Sequence, residues 1–235
     1  MTEPPAPPPF RTRHRRRMRG LGFGAAAVAC GAFILALGVL EPPADEGVST
    51  DRLGPDQGEP VAEYLDRAGE SLSGPDDGDR WALVSFTDYR PAAELRNRVG
   101  DLRVGQALYQ VPLPRVATPL VAVQVPGSDA ALLRSGDDAA WQLADQLRYT
   151  VADERTAATL EVAVSRLRAG CACAPGAIVR APLPRLRELA DRPGIRAVQA
   201  LPADATAGRF AVAPLLPDST DPVGPPPDDG PVPTG

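Results

Sequence analysis

The chain has 235 residues, with 25 Lys or Arg against 30 Asp or Glu and a formal net charge of −5. All the basic residues are arginine, and the single histidine is His14. Beyond residue 40 the chain therefore lacks the imidazole of a Ser-His-Asp or Cys-His arrangement. It also lacks the lysine of a Schiff base, a Ser-Lys dyad or a phosphate-cradling P-loop. A zinc site with His ligands is excluded there, and two cysteines do not complete a Cys-only one, so neither metal nor cofactor is expected. The acidic balance of this part argues against nucleic acid as a partner.

Residues 1–19 read as a disordered cytoplasmic arm, proline-rich at first and then carrying six arginines between Arg11 and Arg19. Gly20–Leu40 contains no charged residue. As a helix it is about 30 Å long, the thickness of a bilayer's hydrocarbon core, which predicts one transmembrane helix with the lipid bilayer as its partner. The arginines before it and the acidic residues after it place the N-terminus in the cytoplasm and the rest outside. A cleaved signal ending near Ala36-Leu37-Gly38 and a lipid-modified Cys30 compete with a retained anchor. The length of the run, and the apolar Ala32–Leu35 directly after Cys30, favour the anchor. Gly24, Gly31 and Gly38 recur every seventh residue and form a candidate helix-packing stripe.

Residues 41–60 read as a Pro/Gly/Asp linker, 61–213 as one extracytoplasmic domain and 214–235 as a disordered Pro-rich tail. Val61, Leu65, Ala68 and Leu72 predict a short amphipathic helix. Trp81–Phe86 reads as a strand, and Pro91–Val99 as a helix that stops at Gly100. Val104–Val111 and Leu120–Val125 read as strands joined through the turn-rich stretch 112–119. Ser128–Ala169 is mostly helical with a break at Asp153–Thr156, and Trp141 is assigned to its core face. Ala177–Ala181 is a strand, Leu183–Ala190 a helix, Ile195–Leu201 a strand, and Phe210–Ala213 a final edge strand. Residues 81–111 and 177–201 share a strand–helix–strand plan. Two such units in one sheet, with the helices on one side, predict an α+β fold of ferredoxin-like type with a helical insertion between the halves.

Cys171-Ala172-Cys173 is the most specific pattern outside the span. Outside the cell thiols tend to oxidise, so Cys171 and Cys173 are a candidate disulfide, within or between chains. Inert buried thiols, or a redox or soft-metal pair aided by Arg168 or Arg180, remain open. Asp76-Asp77-Gly78-Asp79 lacks the downstream bidentate Glu of a calcium loop and reads as a solvated turn. Phe86–Arg90, a polar cluster at a strand end, reads as the cap before Pro91 rather than the lining of a site.

Gly170-Cys171-Ala172-Cys173-Ala174-Pro175 and the stretch Arg187–Val198, with the basic arm, the apolar span and the Trp81 strand, resemble single-pass membrane proteins of actinobacteria with a small extracytoplasmic domain. The resemblance implies location and architecture and no activity. Leu189–Val198 is also similar to the last helix and strand of subtilase propeptide or inhibitor domains, which implies a ferredoxin-like fold more than an inhibitory role. The combined expectation is a membrane-anchored extracytoplasmic module that binds an envelope protein or itself. A thiol-redox protein, a tethered sensor or regulator, and a protease-inhibitor-like module are its rivals.

Overall fold

The computed structural model describes residues 51–75, 78–149 and 152–233. The basic arm, the Gly20–Leu40 span and the Gly24/Gly31/Gly38 stripe lie outside them. Among the described residues no helix is long and apolar enough to cross a membrane.

In chain order the elements are β1 (Arg52–Leu53), α1 (Val61–Glu70), β2 (Asp79–Arg90), α2 (Ala92–Val99), β3 (Arg103–Tyr109), β4 (Val121–Gln124), α3 (Asp129–Tyr149), α4 (Glu154–Arg168), β5 (Ala174–Pro182), α5 (Leu183–Ala190), β6 (Ile195–Ala200) and β7 (Ala211–Val212). The protein is of mixed α+β type. Five strands form one sheet in the order β4-β3-β5-β2-β6, every neighbouring pair antiparallel. The units β2-α2-β3 and β5-α5-β6 interleave in it: β5 lies between β3 and β2, and β2 lies between β5 and β6. Leu83 pairs with Ile178, Val84 with Val198, and Ala107 with Ala177.

Local chemistry sets the ends of the helices. Pro91, at φ −72° and ψ 155°, enters α2, and Gly100, at φ +68°, ends it with its N–H on the Arg96 carbonyl. Asp153 caps α4, accepting from the Thr156 N–H at 2.9 Å, which accounts for the break before that helix.

One face of the sheet carries Ala82, Val84 and Phe86 of β2 with Val104, Ala107 and Tyr109 of β3. Helices α2, α3, α4 and α5 pack on it in one continuous apolar cluster. The opposite face is covered as well, which the expected two-layer arrangement did not include. There Trp81, Leu83, Leu108 and Ile178 meet Leu53 and Leu201, and Tyr64 and Ala68 of α1 meet Ala197 and Leu215. Burial on both faces explains why Trp81–Phe86 is apolar at every position but Ser85, without alternation. The Trp81 ring lies over Gly105, where an added Cβ would come within 2.4 Å of it, and the Arg180 guanidinium sits 5.5 Å from its centroid.

Four expectations are corrected. Residues 51–60 belong to the domain rather than to a linker. Leu53 is fully buried, the Gly54 N–H donates to Gln199 Oε1 at 2.6 Å, and Glu59 pairs with Arg67 at 2.7 Å. Ala211–Val212 does not extend the large sheet; it pairs in parallel with Arg52–Leu53. Residues 214–233 are not a free tail. Leu215 is buried, and the backbones of Gly58 and Glu59 bond that of Val223 on both sides, at 2.7 and 2.9 Å. Proline lowers the entropy lost on ordering such a segment, so a composition that precludes a core does not preclude docking. Finally, Trp141 is 65% exposed. It stands two residues before the buried Leu143, about 200° round the helix, so the two cannot share a face.

Candidate functional site

Three surface features gather polar or aromatic side chains. The first is the turn between α4 and β5. Gly170, at φ +72°, ends the helix, and Cys171 and Cys173 are joined by a disulfide with their Cα atoms 5.3 Å apart. Cys173 is buried and Cys171 half-buried. The Cys173 N–H donates to the Arg90 carbonyl at 3.1 Å, and its own carbonyl accepts from the Gln110 N–H at 2.8 Å. The turn therefore ties the end of β2 to the loop that follows β3. Arg180 is no partner for a thiolate. It lies seven residues further along β5, roughly 23 Å at strand rise, and faces Trp81 and Asp79.

The polar cluster after Phe86 does not cap α2 through a side chain. Arg90 instead pairs with Asp88 and with Glu94 at 3.2 Å, tying the end of β2 to the first turn of α2. Hydrogen bonds from Thr87 and Arg90 hold the Asp88 carboxyl below its usual range. Tyr89 reaches away and donates to Asp218 at 2.8 Å; burial first, and then that carboxylate, raises its phenol pKa. Of the four residues of the acidic turn, Asp76 and Asp77 lie outside the described residues, and Asp79 opens β2 with Arg180 4.0 Å away. No group of three His, Cys, Asp or Glu that could hold a metal occurs among the described residues.

The second feature is the groove where the C-terminal segment crosses the 110–119 loop. Arg155 and the Ala117 N–H hold Asp228, at 2.7 and 3.1 Å, and Arg115 holds Asp229. These contacts keep both carboxyls below their usual range, Asp228 chiefly through Arg155 and Asp229 chiefly through Arg115. A cavity of about 240 Å³ lies beneath, between Tyr89, Gln110, Val111, Val116 and the overlying Pro226 and Pro227.

The third feature is the outward side of α3. Leu133 and Trp141 are exposed there, and Asp137, Asp138 and Asp145 have no ion pair among the described residues. A wider open groove at the start of α3 has Arg96 in its wall, with that side chain's hydrogen-bonding capacity largely engaged by the groove's own residues. Arg96 donates to the Gly100 and Leu102 carbonyls at 2.7 and 3.0 Å and pairs with Asp129 at 2.7 Å.

The expected site residues Cys171 and Cys173 thus stand at a structural junction, while the second and third features were not read from the sequence. For Trp141 the signal was present in its spacing from Leu143. For the groove it lay in a tail that combines Asp-Asp-Gly with proline. Neither the family models nor the curated proteins nor the solved structures contain a match to this chain.

Proposed function

We propose that the chain is a membrane-anchored, extracytoplasmic protein-interaction module of the cell envelope. In this reading Gly20–Leu40 is the anchor and the acidic domain lies outside the membrane. The order of β3, β5, β2 and β6 is that of a ferredoxin-like sheet, widened by β4 and by the α3–α4 insertion. The observation that carries the reading is the outward side of α3, where a Trp and a Leu, 65% and 55% exposed, stand beside three carboxylates with no ion pair among the described residues. A large exposed aromatic is costly to leave in water and is the residue type on which interfaces concentrate their energy. The carboxylates call for an envelope partner with a basic rim. A thiol-redox role is less favoured, because Cys173 is buried and attack on the disulfide has access only from the side of the half-buried Cys171.

The test is site-specific photo-crosslinking of the full-length protein in native membranes, with the probe at position 141 or, as a control, at the exposed Asp204. A discrete adduct is expected from position 141, absent from 204 and weakened by Asp137→Asn/Asp138→Asn. Equal labelling from both positions overturns the reading.

A further inference from the structure

The groove under the C-terminal segment has the construction of a peptide receptor with its ligand in place. We propose that the 110–119 loop and the start of α4 form a recognition site for acidic, proline-rich peptides bearing Asp-Asp-Gly. Residues 225–230 of the same chain are its occupant in cis.

Asp228, Asp229 and Gly230 of the occupant are each read separately. Arg155 grips Asp228 twice, at the carboxylate and at its carbonyl, 2.7 and 3.3 Å away, and the Ala117 N–H adds a third bond. Charge-assisted contacts of this kind require a carboxylate at that position. Arg115 pairs with Asp229 through its side chain, while its carbonyl accepts the Gly230 N–H at 2.7 Å. Gly230 is buried, and a Cβ there would lie 2.8 Å from Arg115 Cβ, the Arg115 carbonyl oxygen and the Pro114 carbonyl oxygen. Only glycine fits without displacing the loop.

The receptor side is specialised too. Arg115 is the one non-glycine residue at positive φ among the described residues, at +55°. That conformation strains an L-residue, and such strain concentrates at ligand clamps. Here the residue addresses the segment with both its side chain and its carbonyl. The loop is held from behind: Thr118 Oγ1 donates to the Val111 carbonyl at 2.7 Å, Gln110 Nε2 to the Thr118 carbonyl at 3.0 Å, and the Gln110 N–H to Cys173. The disulfide-closed turn is thereby a support of the receptor.

The occupant is built to exchange. Leu215 and Val223, upstream, are fixed by burial and by backbone bonds, and the exposed Gly224 separates them from the prolines. Between Pro225 and Asp229 every residue is exposed. The grip there is mainly ionic, which salt weakens; Val232 beyond it rests half-buried against the large apolar cluster, and the central strands are held by full apolar burial.

The experiment uses the full chain in detergent and a fluorescent synthetic peptide with the sequence of residues 225–233. Wild type is expected to bind it poorly, because its own segment competes at high effective concentration. Asp228→Asn/Asp229→Asn in the chain, which vacates the site, is expected to raise peptide affinity at least about tenfold. Adding Arg115→Ala, or replacing the peptide's glycine with alanine, should abolish the gain. Equal binding by wild type and the vacated chain overturns the proposal, as does equal binding by the glycine and alanine peptides. Hydrogen exchange on unaltered wild type is independent of how the variants fold. Raising salt should speed exchange at Gly230 and Ala117 and leave Ile178 unchanged; uniform exchange at all three overturns separability. The site uses none of the α3 residues, so it fails or holds apart from the interaction reading above.

Discussion

The two faces of the central sheet are closed by different means. The helix-covered face is sealed by four helices whose leucines, valines and alanines merge into one apolar cluster. The other face is sealed by the two ends of the described chain: a pair of two-residue strands, one helix, and a C-terminal segment without regular structure. Its apolar clusters are small, and backbone and polar bonds do more of the work. Gly54 N–H meets Gln199, Arg67 meets Glu59, Ala213 N–H meets the Leu53 carbonyl, and Arg196 donates to the Leu216 carbonyl at 2.5 Å. The first face holds by the apolar area of one large packed cluster. The second holds more by matched donors and acceptors around smaller clusters.

The largest expected effect tests the first half of that contrast. Leu186, in α5, is fully buried in the large cluster. Leu186→Ala is expected to cost roughly 2–5 kcal/mol, because surrounding helices and sheet cannot close on the cavity. Leu53, also fully buried, belongs to the two-residue strand β1 over a smaller cluster, and so short a strand can settle inward. Leu53→Ala should therefore fall near the low end, about 2–3 kcal/mol. Urea unfolding measures both, and equal losses would remove the distinction between the faces.

Each face also buries one tyrosine, and alkaline pH probes both. Burial pushes the Tyr109 phenol up to about 12 on the helix side, opposed by its bond with Ser135 at 2.6 Å. Burial likewise pushes Tyr64 up to about 12 on the other side. Because the folded state holds these protons more tightly than the unfolded chain, their contribution is complete below pH 10. It declines between pH 10 and 12 as the unfolded state ionises first. Two pH units correspond to roughly 2–3 kcal/mol per tyrosine. Unfolding midpoints at pH 9 and pH 12 should show the loss, and Tyr64→Phe and Tyr109→Phe should each remove one share of it. A drop that survives in the double variant would assign it to other groups.

The same contrast governs what could be read from the sequence. On the helix face, periodicity and stop signals located α2, α5 and their flanking strands to within a few residues. Leu183, Leu186 and Leu189 recur at helical spacing, and Gly100 and Gly194 mark the turns. The echo of the two strand–helix–strand units predicted one shared sheet with their helices on one side, but carried no strand order. On the other face the signals were absent for a physical reason. A two-residue strand has no period, and the partner of Leu53 lies far along the chain at Val212. The C-terminal segment is recognised through Arg115, Arg155 and backbone groups that no local pattern announces. Trp141 was misread differently, since its hydrophobicity outweighed its angular position relative to Leu143.

Gly54 is where the second face is most sharply determined. It stands at φ +115°, and a Cβ there would lie 1.7 Å from the Ala213 carbonyl oxygen. The same residue donates its N–H to Gln199, and its neighbour Leu53 accepts from Ala213. Gly54→Ala must therefore move β1 away from β7 or from the sheet, and no flexible side chain is available to give way. The expected cost is about 1–3 kcal/mol, the range for overpacking at a fixed site. Gly58, at φ +83°, has nothing within 4 Å of its added Cβ. Gly58→Ala therefore carries the backbone strain alone, about 1–2 kcal/mol. The pair separates conformational strain from close approach. If Gly54→Ala proves no worse than Gly58→Ala, the contact between the chain ends yields readily, and matched bonds do not fix the second face.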